Sequence, residues 1–288
     1  MTTQPEHATL PRTALIGVGS MGSAILAGLR GPGVEIPLPI AVTTRSAESA
    51  ASYEAIAEDG TAAIAAYASE TDPEANRRAA RGAELIILAV KPWMIVDVAR
   101  EIASEVAPGT VVVSVAAGVP SERIEAELPQ ARVVRAMPNT PSHVGRGVAG
   151  IAGGASATPE AIDTVRRLFE TVGEVVVVRE DQINDIAAVS GSGPAYLYLY
   201  VEEMTAAAVR RGFTPEQART LVNGTVSGAA ELLVRSGEDP AELRRRVTSP
   251  KGTTEQAILV LQAAELGELF DRALAANVRR SEEIARGE

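Results

Sequence analysis

Five short apolar runs, Thr13–Val18, Pro39–Thr44, Glu84–Val90, Thr110–Val115 and Arg132–Ala136, punctuate the first half of the chain. They are almost continuously hydrophobic and rich in Val and Ile, as strands buried on both faces of a parallel sheet must be. Helix-like stretches separate them, at Ser20–Arg30, Ala47–Glu58, Pro73–Ala80, Trp93–Glu105 and Ser121–Glu127. Parallel neighbours need long crossovers, so this alternation leaves a doubly wound α/β sheet as the fold. Two weaker runs, Gly147–Ala152 and Glu174–Val178, flank a helical stretch at Pro159–Thr171 and are candidates to extend that sheet.

Near Glu180 the pattern stops. Only helical segments follow: Gln182–Val189, Pro194–Arg211, Pro215–Ser236, Pro240–Val247, Thr254–Ala264 and Glu268–Ala285. Three open on a proline, whose missing N–H costs nothing in the first turn. Gly212 and Gly237 stand where helix C-caps belong. The chain therefore divides into an α/β domain, residues 1–179, and an all-α domain, residues 180–288.

Composition narrows the function classes. The 288 residues carry a net charge of -10, nine aromatic side chains, no Cys and two His. Acidity and scarce aromatics argue against a nucleic-acid partner. Zero Cys excludes thiolate chemistry, and two His exclude a His-rich metal site within one chain, so no metal is expected. No apolar run approaches the ~20 residues that cross a bilayer, and Met1–Arg12 has no signal core, so the expected location is cytoplasmic and off the membrane. Of the 27 basic residues only Lys91 and Lys251 are lysines.

Ile16-Gly17-Val18-Gly19-Ser20-Met21-Gly22 has GxGxxG spacing at the first strand-to-helix junction. Its glycines suit a tight turn, close approach of a pyrophosphate and close helix–strand packing, and the helix N-terminus offers free N–H groups. The second strand ends in Val42-Thr43-Thr44-Arg45-Ser46, with no acid for a ribose 2′-OH. Thr44 and Arg45 there suit a 2′-phosphate, which points to NADPH, with NADH possible. Ala89-Val90-Lys91-Pro92 and Val115-Ala116-Ala117-Gly118 supply small residues at two further strand ends.

The helical half holds two hydroxyl-rich loops. Ser190-Gly191-Ser192-Gly193-Pro194 precedes a long helix and suits a carboxylate at exposed N–H groups. Thr248-Ser249-Pro250-Lys251-Gly252-Thr253-Thr254 is similar, and Thr253 with Gln256 has capping-box spacing. Together they suit a small organic acid. No acid–base constellation is evident: His7 lies in the polar tail and His143 in a Gly/Pro-rich loop, and neither is expected to be catalytic. The run Arg244–Arg246 reads as a solvated helix face.

Ala188–Tyr196 and Val247–Thr254, with Met137–Pro141 and Leu88–Pro92 upstream, resemble the pyrroline-5-carboxylate reductase family over about residues 13–285. The resemblance implies an N-terminal Rossmann domain binding NADP(H), and a C-terminal helical domain forming an interlocked homodimer, often assembled to a decamer. It implies cofactor contacts at Ile16 to Met21, Thr44, Arg45, Asn76, Ala89 to Pro92 and Val115 to Ala117. Substrate contacts fall on Glu180, Ser190, Gly191, Ser249, Gly252, Thr253 and Thr254, with a cyclic imine acid as substrate. Hydride transfer to the C=N carbon would give L-proline, with Thr254 serving the ring nitrogen. The family pattern has Gly-Gly where this chain has Lys251-Gly252. Other readings are a different NADP-dependent imine or β-hydroxyacid oxidoreductase, and a non-catalytic NADP(H) sensor. The Gln182–Val189 helix lacks the Lys base that a β-hydroxyacid enzyme normally needs.

Overall fold

The computed structural model describes residues 8–37, 39–57 and 63–286; His7 and Glu58 lie outside them. By their internal contacts these residues form two compact units. One runs to Ser192 and includes the chain from Asn277 onward; the other is Gly193–Ala276. The division by sequence texture lies earlier, at 179/180.

The first unit contains ten strands: β1 (Ala8–Thr9), β2 (Thr13–Ile16), β3 (Val34–Glu35), β4 (Ile40–Thr44), β5 (Ile64–Ala68), β6 (Leu85–Leu88), β7 (Val111–Ser114), β8 (Arg132–Met137), β9 (Gly147–Gly153) and β10 (Gly173–Val177). Eight form one sheet in the order β10-β9-β8-β7-β6-β2-β4-β5, and β1 pairs with β3 separately. All pairs in the large sheet are parallel except β8 with β9. The strand order reverses direction of growth beside β2, which places a crevice at the carboxyl ends of β2, β4 and β6.

Burial on both faces follows from side-chain alternation. Leu15, Ile87, Val113 and Val134 pack on one face with Ile25 and Leu29 of helix α1 (Ser20–Leu29). Ala14, Ile16, Leu88 and Val133 face the other way, against Ile95, Val98 and Ile102. These lie on α4 (Ile95–Ile102), which follows α2 (Ala47–Ala57) and α3 (Ala75–Ala80). The short α5 (Ser121–Glu125) adds Ile124 to that second face. Helix α6 (Pro159–Glu170) adds fully buried Phe169 and Leu168 to the first face, each contributing about 1.5–3 kcal/mol by burial. Its start is fixed by Thr158, whose Oγ1 accepts the Ala161 N–H at 3.3 Å, with Pro159 at the first position.

After β10 come α7 (Ile183–Ile186) and a π-helical turn at Ala187–Gly191. The second unit holds α8 (Gly193–Arg210), α9 (Pro215–Ser236), α10 (Pro240–Arg246), α11 (Thr253–Gln262) and the first part of α12 (Leu266–Arg286). Helix α9 shows why its ends fall where they do. Thr214 and Gln217 form a reciprocal capping box (3.0 and 3.2 Å), and Gly237 closes the helix at φ 62°. In Gly193–Ala276 only Ala218 and Val222 are buried hydrophobics, whereas Tyr198, Leu199, Tyr200, Leu232 and Val260 are exposed.

Candidate active site

The Gly-rich turn has the shape a pyrophosphate needs. Gly17 sits at φ +92°, and a Cβ there would stand 2.6 Å from Val90 Cγ1 and 3.0 Å from Val90 N. Only glycine allows this turn and this contact between the β2 and β6 loops. A Cβ on Gly22 would meet the Gly17 carbonyl at 2.7 Å, so helix and turn also close tightly. A Cβ on Gly19, by contrast, meets nothing within 4 Å. The first intrahelical bond of α1 is Ser23 N–H to Gly19 O (2.8 Å). The N–H groups of Ser20, Met21 and Gly22 precede it, and they face an open position suited to phosphate. Val18 is fixed from behind by its N–H bond to Thr43 O (2.8 Å).

The neighbouring strand ends join this edge. Ala89 N–H reaches Ile16 O at 2.8 Å and Val115 N–H reaches Leu88 O at 3.1 Å. Ala116 is buried, while Val90 and Ala117 are half-buried. Lys91 is exposed and precedes a 3-10 turn at Pro92–Met94. Thr44 spends its hydroxyl on Ser46 O (2.9 Å). Arg45 is exposed and makes no ion pair among the described residues. Asn76, on α3, donates its amide to Glu101 Oε2 at 2.9 Å.

Three polar arrangements escape a reading of the sequence. Ser20 Oγ lies 3.2 Å from His143 Nε2, so the loop after β8 reaches the phosphate turn. Asn139 donates to Ser190 O (3.0 Å) and accepts the Val148 N–H (2.9 Å), tying the first hydroxyl-rich loop to β9. Finally, both carboxylate oxygens of Glu180 are engaged. Oε1 accepts the Ser121 N–H at 2.7 Å and Oε2 accepts the Ser121 hydroxyl at 2.6 Å. Arg135 Nη1 approaches Oε1 at 3.5 Å. Burial pushes the Arg135 guanidinium below its ordinary pKa, partly offset by the Glu180 charge. The sequence signal for the Glu180 contacts is Arg135, a charged residue flanked by the apolar Val134 and Ala136 in the middle of β8.

The two loops differ from simple helix caps. Gly191 belongs to the π turn, and the Ser192 N–H is spent on Ala187 O (2.9 Å) rather than left open. Ser190 Oγ donates to Ile186 O (3.2 Å). Small residues permit this wider turn, of a kind that recurs at functional sites. In the second loop the Thr253–Gln256 capping box does not form. Gly252 is the N-cap, Thr253 is already helical, and Glu255 Oε2 accepts the Lys251 N–H at 2.7 Å instead. Thr254 is exposed on the first turn of α11.

Lys251 does adopt the left-handed conformation, at φ 60°. Gly252 N–H to Ser249 O (2.9 Å) closes a turn with Pro250 and Lys251 at its centre, the arrangement that favours glycine at the second central position. We expect Lys251→Gly to leave the thermal midpoint no lower, since relief of about 1–2 kcal/mol of strain offsets the added chain entropy. Loss of the charge should raise KM for an acidic substrate about two- to fivefold. An unchanged KM makes the lysine a bystander. Beside this loop a cavity of about 560 Å³ is lined by Arg244, Arg245, Thr248 and Glu255 among others. Arg245 and Arg246 are paired with Glu242 and Glu238, as expected of a solvated face.

A parallel sheet with a Gly-rich phosphate turn, followed by helices that leave apolar faces unburied, defines a dinucleotide-dependent oxidoreductase with a helical dimerisation domain. The comparisons agree. A family described as pyrroline-5-carboxylate reductase dimerisation matches residues 180–284, and one described as NADP oxidoreductase, coenzyme F420-dependent, matches residues 12–118. The pyrroline-5-carboxylate reductase of Pseudomonas aeruginosa is 38% identical over 277 residues, 96% of this chain and 97% of that protein. The Escherichia coli enzyme is 34% identical over 96% of this chain and 98% of its own length. The solved structure of a pyrroline-5-carboxylate reductase from Coxiella burnetii superposes with a TM-score of 0.85 at 38% identity, covering 95% of this chain and 98% of that one. The chain belongs to the pyrroline-5-carboxylate reductase family.

Proposed function

We propose that this protein reduces 1-pyrroline-5-carboxylate to L-proline with NADPH, and also accepts NADH. What carries the reading is family membership over nearly the whole chain, together with a phosphate turn whose Gly19 position is open. The dihydronicotinamide supplies the hydride that goes to the C=N carbon. The chain's own residues orient and polarise. Ser20, Met21 and Gly22 hold the pyrophosphate through backbone N–H groups, and Arg45 takes the 2′-phosphate. Lys91, Asn76 and the small residues at 89–92 and 115–117 line the cofactor. The Thr253 and Thr254 N–H groups at the start of α11 bind the substrate carboxylate, with Ser249 and Gly252 beside them; Glu180, Ser190 and Gly191 are further substrate contacts of this reading. Thr254 Oγ donates a hydrogen bond at the ring nitrogen and helps place its proton. The domain boundary of this reading is residue 180, where the dimerisation family begins.

The protein is a homo-oligomer with a small-molecule substrate. Exposed Tyr198, Leu199, Leu232 and Val260 support a homodimer through the helical domain, and a decamer is the further assembly we propose. No helix among the described residues is long and apolar enough to cross a membrane. The proposed setting is cytoplasmic, without membrane or nucleic-acid partners. The test is NADPH oxidation with pyrroline-5-carboxylate beside simple keto acids. Turnover of the imine alone is the expected result; tight NADPH binding without imine turnover would leave a sensor instead.

A further inference from the structure

The end of β4 carries no acid, yet the fold brings one there. Strand β5 runs parallel to β4 with Thr44 opposite Ala68. The pairing continues past the strand ends: Ser69 N–H reaches Thr44 O (3.0 Å) and Glu70 N–H reaches Arg45 O (3.1 Å). Glu70 then turns its carboxylate onto the start of α2, where Oε1 accepts the Ala47 N–H at 2.8 Å. The Ser49 N–H, in the same first turn, is taken by Ser46 Oγ at 3.2 Å. A carboxylate from the turn after β5 therefore occupies the helix N-terminus beside Arg45, the spot where a 2′-phosphate would otherwise find free donors.

The two side chains favour opposite cofactors. A guanidinium here suits a 2′-phosphate, whereas a carboxylate accepts a ribose 2′-OH and repels a phosphate. We propose that Glu70 is a cofactor-specificity residue, which weakens the discrimination for the 2′-phosphate that Arg45 alone would impose and so opens the site to NADH. The proposal rests on the reading that the 2′-position of the cofactor lies at the end of β4.

Glu70→Gln tests the charge while keeping an acceptor for the Ala47 N–H, so the turn is retained. Calorimetric titration with 2′,5′-ADP and with 5′-AMP, which differ only by the 2′-phosphate, reads the 2′-position alone, without turnover. Glu70→Gln should bind 2′,5′-ADP about tenfold more tightly, the effect of removing one charge near a dianion at the protein surface. Affinity for 5′-AMP should not rise. The ratio of kcat/KM for NADPH over NADH should move the same way. Arg45→Ala is the companion, and should weaken 2′,5′-ADP while sparing 5′-AMP. If Arg45→Ala behaves so and Glu70→Gln shifts neither ligand, or both equally, the role of Glu70 is overturned. If Arg45→Ala does not distinguish the ligands, the placement of the 2′-position fails and the inference falls with it. A thermal midpoint equal to that of the parent certifies both variants as folded.

Discussion

Gly17→Ala should abolish NADPH binding at micromolar concentrations and lower stability by about 2–5 kcal/mol. Two costs combine. A non-glycine residue in the left-handed region loses about 1–2 kcal/mol, and overpacking against Val90 adds about 1–3 kcal/mol. The second arises because the new Cβ would lie 2.6 Å from Val90 Cγ1 and 3.0 Å from backbone, which has nowhere to move inside a closed turn. Cofactor titration and thermal unfolding measure the two effects. Gly19→Ala separates them. Its φ of -98° is ordinary for alanine and its Cβ meets no protein atom, so the fold should be unaffected while the methyl group intrudes on the phosphate. A Gly19→Ala protein with parental NADPH affinity would show that the pyrophosphate does not lie on this turn.

Thr254→Ala should lower kcat/KM for pyrroline-5-carboxylate by about 10²-fold, the low end for assistance to proton transfer. The cofactor brings the hydride, and among the residues proposed to meet the substrate Thr254 has an exposed hydroxyl on a helix start whose N–H groups can hold a carboxylate. Thr254→Ser keeps that hydroxyl and should lose far less. The helix itself is not at stake, because its N-cap is Gly252 and no threonine side chain caps it. Equal losses in the alanine and serine variants, or none in either, would remove the hydroxyl from the mechanism.

Much of the architecture is legible in the sequence, since strands buried on both faces leave little ambiguity. Leu85–Leu88 and Val111–Ser114 lie inside the expected runs, and helix Pro215–Ser236 has the expected bounds. Strand β5 was not expected. Ile64–Ala68 is mostly alanine, a residue with little preference for strands, and it forms because a neighbouring edge and the α2 and α3 helices enclose it. Missing that strand also hides Glu70, whose position depends on the register with β4 rather than on local spacing. The antiparallel pairing of β9 with β8 goes with a connection, residues 138–146, too short for a parallel crossover. The Gly-rich turn could be read because Gly17 and Gly22 have local steric reasons and Gly19 leaves its position open. Glu180, Ser121 and Arg135 meet only through packing, and the π turn at Ala187–Gly191 arises where small residues let the backbone widen. Lys251, where the family pattern has glycine, adopts the left-handed conformation.

The thin interior of the Gly193–Ala276 unit has a thermodynamic consequence. Ala218 and Val222 are its only buried hydrophobics among the described residues, so in the homodimer proposed through it association would supply much of its stabilisation. Its folding is then second order in protomer, and dilution acts on it as a denaturant does. Every substitution in that unit is also present twice in each dimer. A cost of 1.5 kcal/mol in one copy becomes about 3 kcal/mol for the assembly, so sequence drift there is constrained more tightly than burial in one chain suggests.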